Sequence, residues 1–150
     1  MRGNQYQGSQ FGRTRKEDGF TLLEVILAIS ILTIGILAVG SMQVSAIRGN
    51  ATASCLTEGT VLAADQIEKL MALPYADSNL GDTDGDGSEG LNDATQATAD
   101  HQATEGRYIL YWNVADNAVI DNTKTINVIV TWMDREVRKT VSLQNIIPHI

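Results

Sequence analysis

The sequence predicts an α+β protein in which one long N-terminal α-helix precedes a small antiparallel β-sheet. Three observations carry this prediction. An uncharged apolar stretch lies near the N-terminus, a helical apolar pattern continues after it as far as Pro74, and apolar residues alternate along the chain from residue 107 onward. The length of 150 residues suits a single domain.

The first half of the predicted helix is a candidate membrane span. Val25–Ile47 comprises 23 residues without a charge, and about 20 apolar residues cross a bilayer core of about 30 Å. A buried core helix is the alternative, but the remaining chain is too small and too polar to enclose a helix that is apolar all round. We therefore predict one transmembrane helix.

Charges beside the span predict its orientation. Arg13, Arg15 and Lys16 precede the apolar stretch, whereas Arg48 follows it. Because Lys and Arg accumulate on the cytoplasmic side of membrane spans, we expect a cytoplasmic N-terminus and an exported C-terminal part. The apolar stretch is also longer than the core of a secretory signal peptide.

Glu24 stands inside the apolar run that opens at Phe20. A carboxylate at the centre of a bilayer costs about 2.5–3.5 kcal/mol, and such a residue usually has a partner. Alternatively, the residue lies at the membrane interface near a helix N-terminus, where the helix dipole favours it by about 0.3–1 kcal/mol. Composition alone leaves both interpretations open.

The helix is predicted to continue beyond the span. No proline occurs between Phe20 and Leu73, which gives a predicted helix over Thr21–Ala72, and Pro74 ends it. Within Ala51–Leu73 the apolar residues recur at helical spacing. The predicted apolar face consists of Leu56, Ala63, Ile67 and Leu70.

Composition changes after Pro74. Tyr75–Gly106 is rich in Asp, Gly, Asn, Ser and Thr and is predicted to form loops. Three segments then alternate with period two, which is typical of half-buried antiparallel strands. They are Arg107–Ala115, Lys124–Trp132 and Glu136–Leu143, with a turn at Met133–Arg135. We expect a three-stranded sheet on the apolar face of the helix.

Charge, cysteine content and missing motifs argue against several classes of function. The chain has 18 Asp and Glu against 11 Lys and Arg, a formal net charge of −7, so we predict no direct binding of nucleic acid. Its one cysteine provides neither an internal disulfide nor a Cys-rich zinc site. Because the sequence also lacks the common hydrolase, P-loop, zinc-protease and redox motifs, we expect no enzymatic activity.

One acidic segment is a candidate calcium site. DTDGDGS, from Asp82 to Ser88, matches the first seven positions of an EF-hand loop, with Gly87 at the sharp turn. Asp93 occupies the twelfth position, where Glu is usual. The candidate ligands are Asp82, Asp84, Asp86, Ser88 and Asp93. The alternative is a surface turn, because Asp and Gly are common turn residues.

The N-terminal motif carries a family resemblance. The segment Lys16–Glu24, KEDGFTLLE, followed by the long apolar helix, resembles the processing site of type IV prepilins. The resemblance implies that a membrane prepilin peptidase cuts between Gly19 and Phe20 and methylates the new amine of Phe20. It also implies that Glu24 sets the assembly register by pairing with the N-terminal ammonium of a neighbouring subunit. Loss of a leader with a net charge of +2 would change the side-chain charge from −7 to −9.

The resemblance also implies the architecture called the pilin lollipop. Its parts would be a cytoplasmic leader (1–19), the transmembrane half of the helix (20–48), an amphipathic half (49–73) and a periplasmic head (74–150). The protein would reside in the inner membrane and then in the pilus fibre on the cell surface. Its partners would be other pilins, the peptidase, the inner-membrane assembly machinery and, before assembly, lipid.

Further residues indicate the subfamily. Many major pilins carry proline where this chain has Ser41, which weakens a major-pilin assignment. Tyr108-x-x-x-Trp112, Val130-x-Trp132 and a basic last strand resemble the PilV group of minor pilins. Two alternatives stay open at this point: a minor pseudopilin of type II secretion, and a membrane-anchored periplasmic calcium-binding module.

Overall fold

The computed structural model describes residues 19–149 of the chain. It contains one long α-helix, two short 3₁₀ turns and four β-strands in the order given by the sequence. The bounds are α1 Leu22–Met71, the first 3₁₀ turn Ser78–Leu80, the second 3₁₀ turn Gly90–Asn92, β1 His101–Glu105, β2 Tyr108–Asp116, β3 Thr123–Asp134 and β4 Val137–Pro148. The described backbone divides into two compact units, one ending at Val44 and the other beginning at Ser45, and α1 contributes to both.

The first unit contains the apolar part of α1. Within the described residues, α1 is the one helix long and apolar enough to cross a membrane, and none of its most apolar stretch is buried. Large apolar side chains such as Leu22, Ile34 and Leu37 are all more than two-thirds exposed. This part of the helix therefore lacks intramolecular packing among the described residues and needs lipid or other protein around it.

The second unit packs the rest of α1 against the sheet. The buried helix residues are Gly59, Ala63 and Leu70, and Cys55, Leu62 and Ile67 are partly buried beside them. The predicted face was wrong at Leu56, which is 50% exposed. A straight helix drifts by about 20° per heptad, so a residue two heptads before Leu70 turns away from the face that Leu70 occupies.

The sheet has the order β1-β2-β3-β4, with every neighbouring pair antiparallel. The helix and the antiparallel sheet are confirmed, but the predicted count of three strands was wrong. The additional strand, β1, lies inside the segment predicted to be loop. Its sequence, HQATE, has no apolar alternation because four of its five side chains are exposed. Backbone pairing with β2 forms it instead. His101 pairs with Trp112 at one end, and Glu105 pairs with Tyr108 at the other.

The turn between β3 and β4 also differs from the prediction. It consists of Arg135 and Glu136 rather than Met133–Arg135, because Asp134 pairs with Val137 and closes a two-residue hairpin. Arg135 and Glu136 have φ angles of 50° and 70°, as a type I′ turn requires. β4 then extends as far as Pro148, beyond the predicted end at Leu143.

The core lies between α1 and one face of the sheet. The predicted inward faces of β2 and β3 are all buried: Tyr108, Leu110, Trp112, Val114, Ile126, Val128, Val130 and Trp132. In β4, Val141 and Leu143 are partly buried against this core. Val137, which was predicted to share their face, is 54% exposed, because it lies at the hairpin turn where the sheet ends.

The outer face of the two central strands is buried as well, although the strands were predicted to be half-buried. Alternate residues such as Tyr111, Ala115 and Ile129 are buried, and so are the polar residues Asn113 and Asn127. The second 3₁₀ turn covers this face, since the amides of both asparagines bond to the carbonyl oxygen of Leu91. The second unit therefore consists of three layers, which are helix, sheet and loop.

The closest approach between helix and sheet yields a prediction. A Cβ atom at Gly59 would lie 3.0 Å from Cζ3 of Trp132, whose side chain is 3% exposed. We expect Gly59→Leu to lower the free energy of unfolding by about 1–3 kcal/mol, because the larger side chain must displace a packed indole ring. Urea unfolding of the full chain in detergent, followed by tryptophan fluorescence, measures this change.

Gly49→Leu is the matched control. Gly49 lies in the same helix, and the space beside it is open, so replacement should stabilise the helix by up to about 1 kcal/mol. Equal effects of the two substitutions would contradict the assigned contact.

Candidate processing site and acidic loop

The predicted cleavage point lies directly before the helix. Gly19 and Phe20 have no regular secondary structure and are exposed, with Phe20 at 83%. Nothing described by the structure comes within 4 Å of the position that a Cβ atom of Gly19 would take. The bond between the two residues is therefore on accessible, non-helical backbone, which is the kind of backbone that proteases cut most readily.

Thr21 caps α1 in front of Glu24. The backbone N–H of Glu24 donates to Oγ1 of Thr21 at 3.3 Å and to its carbonyl oxygen at 3.1 Å. Thr-x-x-Glu has the spacing of a capping box, and Glu24 lies in the first turn of the helix. The helix dipole favours a carboxylate there. Within residues 19–149, no ion pair involves Glu24.

The structure brings together three of the candidate calcium ligands. Asp82, Asp84 and Asp86 each offer a carboxylate oxygen, and these oxygens all lie within 4.8 Å of one another. Calcium binds oxygen at about 2.3–2.6 Å, so two ligands of one ion can be separated by that distance. The grouped carboxylates do not include Asp93, and Ser88 is exposed in the turn that follows them.

The loop around these carboxylates is tightly wound. Asp82 accepts the backbone N–H of Gly85 on Oδ1 (2.7 Å) and that of Gly87 on Oδ2 (3.0 Å). Both glycines have positive φ, 79° and 60°, a conformation that glycine adopts without steric cost. The carboxylate of Asp86 lies where a Cβ atom of Gly90 would be, so a larger residue at that position would displace the Asp86 side chain.

Desolvation and neighbouring carboxylates both disfavour the ionised form of Asp86. Desolvation, followed by the charge of Asp84, a hydrogen bond with it and then the charges of Asp100 and Asp93, raises the pKa of Asp86 above its ordinary value of 3.8. A group whose ionised form is opposed by its neighbours is stabilised by a cation or by protonation. The arrangement thus favours uptake of positive charge.

Asp100 anchors the acidic loop to the sheet, and sequence reasoning missed it. Its Oδ1 accepts the backbone N–H of Thr83 at 2.6 Å, and its Oδ2 accepts the backbone N–H of Val114 in β2 at 2.8 Å. Next to it, Nε2 of His101 donates to the carbonyl oxygen of Gly81 at 2.9 Å. An aspartate directly before an edge strand is a weak signal that becomes meaningful only when the strand is recognised.

Two buried asparagines hold the following segment. Asn113 donates from Nδ2 to the carbonyl oxygen of Asp93 at 2.8 Å, and Asn127 donates from Nδ2 to that of Leu91 at 2.7 Å. The two asparagines face each other across β2 and β3. The backbone of Asp93 is therefore used to fix the loop, and its side chain lies outside the group of three carboxylates.

A buried lysine fixes the start of the head. Lys124 is 9% exposed, and its Nζ donates to the carbonyl oxygen of Leu80 at 2.6 Å. The same atom lies 3.0 Å from Oδ1 of Asp116 and 5.1 Å from the centre of the Tyr75 ring. The first 3₁₀ turn is thereby tied to β3, which limits where Asp82 can lie.

A polar cluster ties the β1–β2 turn to α1. The Tyr108 hydroxyl donates to Oε2 of Glu58 at 2.7 Å, and Nη2 of Arg107 donates to Sγ of Cys55 at 2.8 Å. Burial and then the bond to Glu58 raise the pKa of Tyr108, so this hydroxyl stays a donor at neutral pH. The cysteine acts as a packing residue and hydrogen-bond acceptor.

The raised pKa of Asp86 yields a prediction about pH. Because its pKa is higher in the folded than in the unfolded chain, ionised Asp86 opposes folding at neutral pH, and protonation relieves this opposition on acidification. We expect Asp86→Asn to raise Tm at neutral pH in the presence of a chelator. The difference from the unmodified chain should shrink as the pH falls towards 3.8.

Thermal melts across that pH range measure the effect. Asp121→Asn is the matched control, because this aspartate is exposed in the β2–β3 loop and should give no such pH-dependent difference. A lower Tm for Asp86→Asn at neutral pH would contradict the argument.

Comparison with known proteins bears on the N-terminal part of the chain. A family model described as the prokaryotic N-terminal methylation motif matches residues 14–40, which include Gly19, Phe20 and Glu24. No curated protein and no solved structure matches the chain. The motif supports a type IV pilin-like or pseudopilin-like protein. Together with the apolar helix, it fits a protein anchored in the inner membrane.

Proposed function

We propose that this chain is a structural subunit of a type IV pilus, a minor pilin or assembly-priming subunit of the PilV type. It is inserted as a prepilin, cleaved after Gly19 and methylated on the amine of Phe20. The observation that carries the proposal is the methylation motif at residues 14–40, which continues without a break into the exposed apolar part of α1. The aromatic residues of the subfamily resemblance, Trp112 and Trp132, lie in the core.

In the proposed protein, Glu24 sets the register between neighbouring subunits. A lone carboxylate in lipid costs about 2.5–3.5 kcal/mol, and no cation among the described residues pairs with Glu24. The methylated ammonium of Phe20 in an adjacent copy is a suitable partner. An ion pair inside a bundle of apolar helices forms only at one axial offset, so it selects one register.

The proposed topology assigns each segment a compartment. The leader, 1–19, is cytoplasmic; residues 20–48 cross the inner membrane; 49–73 form the amphipathic half of the helix; and 74–150 form the periplasmic head. After cleavage, the subunit leaves the lipid and joins the fibre on the cell surface. Its partners are the prepilin peptidase, other pilins and the inner-membrane assembly machinery, and it has no catalytic role.

Replacing Glu24 tests the proposal. We expect Glu24→Ala to be cleaved after Gly19 like the unmodified chain but to enter sheared fibres at least tenfold less, because a lost pairing of 1.4 kcal/mol is already a factor of ten. Intact mass of the membrane-extracted protein measures cleavage and methylation. Immunoblotting of sheared fibres measures incorporation.

Two control variants make the result specific. Gln43→Ala removes a polar side chain from the same apolar stretch and should incorporate normally, whereas Gly19→Val should block cleavage. An unprocessed N-terminus in cells that contain the peptidase would contradict the pilin assignment and favour an anchored module. Loss of protein secretion, with pili intact, on deletion of the gene would favour the minor pseudopilin.

We propose calcium binding by the acidic loop as a second function of the head. The observation that favours it is the grouping of the Asp82, Asp84 and Asp86 oxygens within 4.8 Å, where desolvation and then the charge of Asp84 raise the pKa of Asp86. Backbone carbonyls, including that of Ser88, and the side chain of Asp93 after a local shift would complete the six to eight oxygen ligands that calcium requires.

Melting with and without calcium tests the second function. We expect millimolar calcium to raise Tm, since a ligand at 100 times its Kd stabilises by about 2.7 kcal/mol, and Asp84→Asn to abolish the rise. Magnesium serves as the ion control, and Asp121→Asn as the control variant. An unchanged Tm of the unmodified chain in calcium would leave the loop as an acidic surface turn.

A further inference from the structure

The turn between β3 and β4 lies close to the end of the apolar stretch. Oγ1 of Thr52 donates to Oδ2 of Asp134 at 3.0 Å, and Thr52 follows Ile47, the last residue of the uncharged stretch Val25–Ile47, by five positions. Both residues belong to the unit that begins at Ser45. Five residues advance a helix by about 7.5 Å, and the polar region of a bilayer adds about 5–7 Å per leaflet to its core. With Ile47 at the edge of the hydrocarbon, Thr52 and the turn bonded to it would lie about 7.5 Å along the helix from that edge, at the outer limit of the polar headgroup region.

The side chains of this turn have an interfacial character. We call the segment Met133–Lys139 the hairpin tip. Met133 and Val137 are 59% and 54% exposed, and the basic residues Arg135 and Lys139 are exposed between and beside them. Exposed apolar side chains mixed with cations are typical of surfaces that rest on anionic lipid.

Arg135 and Lys139 are the cations of the hairpin tip that remain available to bind anionic lipid. The carboxylate of Asp134 is turned towards Thr52, and the guanidinium of Arg138 donates to the carbonyl oxygen of Ala94. Glu136 is the other acidic residue of the tip, so the exposed side chains of Arg135, Glu136 and Lys139 together carry a net charge of +1. Arg48, directly after the uncharged stretch, adds a further cation on the helix.

Charge distinguishes the hairpin tip from the opposite end of the sheet. The β2–β3 loop there also exposes two apolar side chains, Val119 at 61% and Ile120 at 55%. Its charged neighbours, however, are Asp116 and Asp121, and the nearby Lys124 is bound to Leu80 and Asp116. Of these two apolar ends, only the hairpin tip has the charge that matches an anionic surface.

We propose that the hairpin tip docks on the anionic phospholipid headgroups of the membrane from which α1 emerges. The inference rests on the proposed insertion of α1. Contact with lipid would fix the head against the bilayer before assembly, and extraction of the subunit would have to break it. Each basic residue near an anionic surface contributes about 1 kcal/mol, which is about a fivefold change in the docked fraction.

Amide hydrogen exchange of the full chain in nanodiscs tests the proposal. We expect amides of residues 133–139 to be protected in discs of phosphatidylcholine with phosphatidylglycerol, relative to discs of phosphatidylcholine alone. The protection should weaken at high salt, because the screening length falls from about 10 Å at 0.1 M to about 3 Å at 1 M. Lys139→Gln should reduce it about fivefold, whereas Lys69→Gln, an exposed lysine at the far end of α1, should leave it unchanged.

The same measurement separates the possible failures. Exposed amides throughout residues 25–47 would contradict the proposed membrane insertion. Protection of 25–47 together with equal exchange of 133–139 in both kinds of disc would overturn the docking inference alone. Protection of the tip only in discs loaded with several copies would assign it to contact with another copy, such as its acidic loop, and would overturn the lipid assignment.

Discussion

The packing of the second unit depends on the close approach of α1 to β3 at Gly59 and Trp132. A Cβ atom at position 59 would lie only 3.0 Å from the indole ring, so the absence of a side chain at Gly59 lets the helix come close to the sheet. Nε1 of Trp132 has no hydrogen-bond partner among residues 19–149, and a buried unpaired donor costs about 1–3 kcal/mol. Packing of the ring against the glycine and against Tyr108, 5.5 Å away between centroids, has to exceed that cost. The other helix contacts, at Ala63 and Leu70, follow from this spacing.

Much of the fold could be predicted because burial leaves a periodic signal. The alternation in β2 and β3 is visible in the sequence, since every second residue faces the helix, and the helix is visible from its apolar content and from Pro74. β1 left no such signal, because its side chains are exposed and its stability comes from the backbone of β2. Leu56 shows a further limit. Helical spacing identifies an apolar stripe, but the part of the stripe that is buried depends on how the helix crosses the sheet.

The candidate sites were predictable to different degrees for the same reason. The processing motif and the Asp82–Asp86 run are contiguous in sequence, so their chemistry could be recognised without a fold. The residues that position the acidic loop are not contiguous with it. The alternation of apolar residues places Asn113 and Asn127 on the solvent side of their strands. They are buried because the second 3₁₀ turn covers this side, and both amides donate to its carbonyl oxygen at Leu91. Asp100 and Lys124 act through backbone groups that are distant in sequence.

The four-stranded sheet ends in β4, a strand of 12 residues with a partner on only one side. A long unpaired edge is a template on which another chain can add a strand, and proteins commonly protect such edges with charge or proline. Here Arg138 and Lys139 stand at one end of β4 and Pro148 at the other. These residues disfavour growth by strand addition at this edge. In the proposed pilus subunit, association between copies would therefore depend on helix contacts, along which a subunit could be inserted or withdrawn.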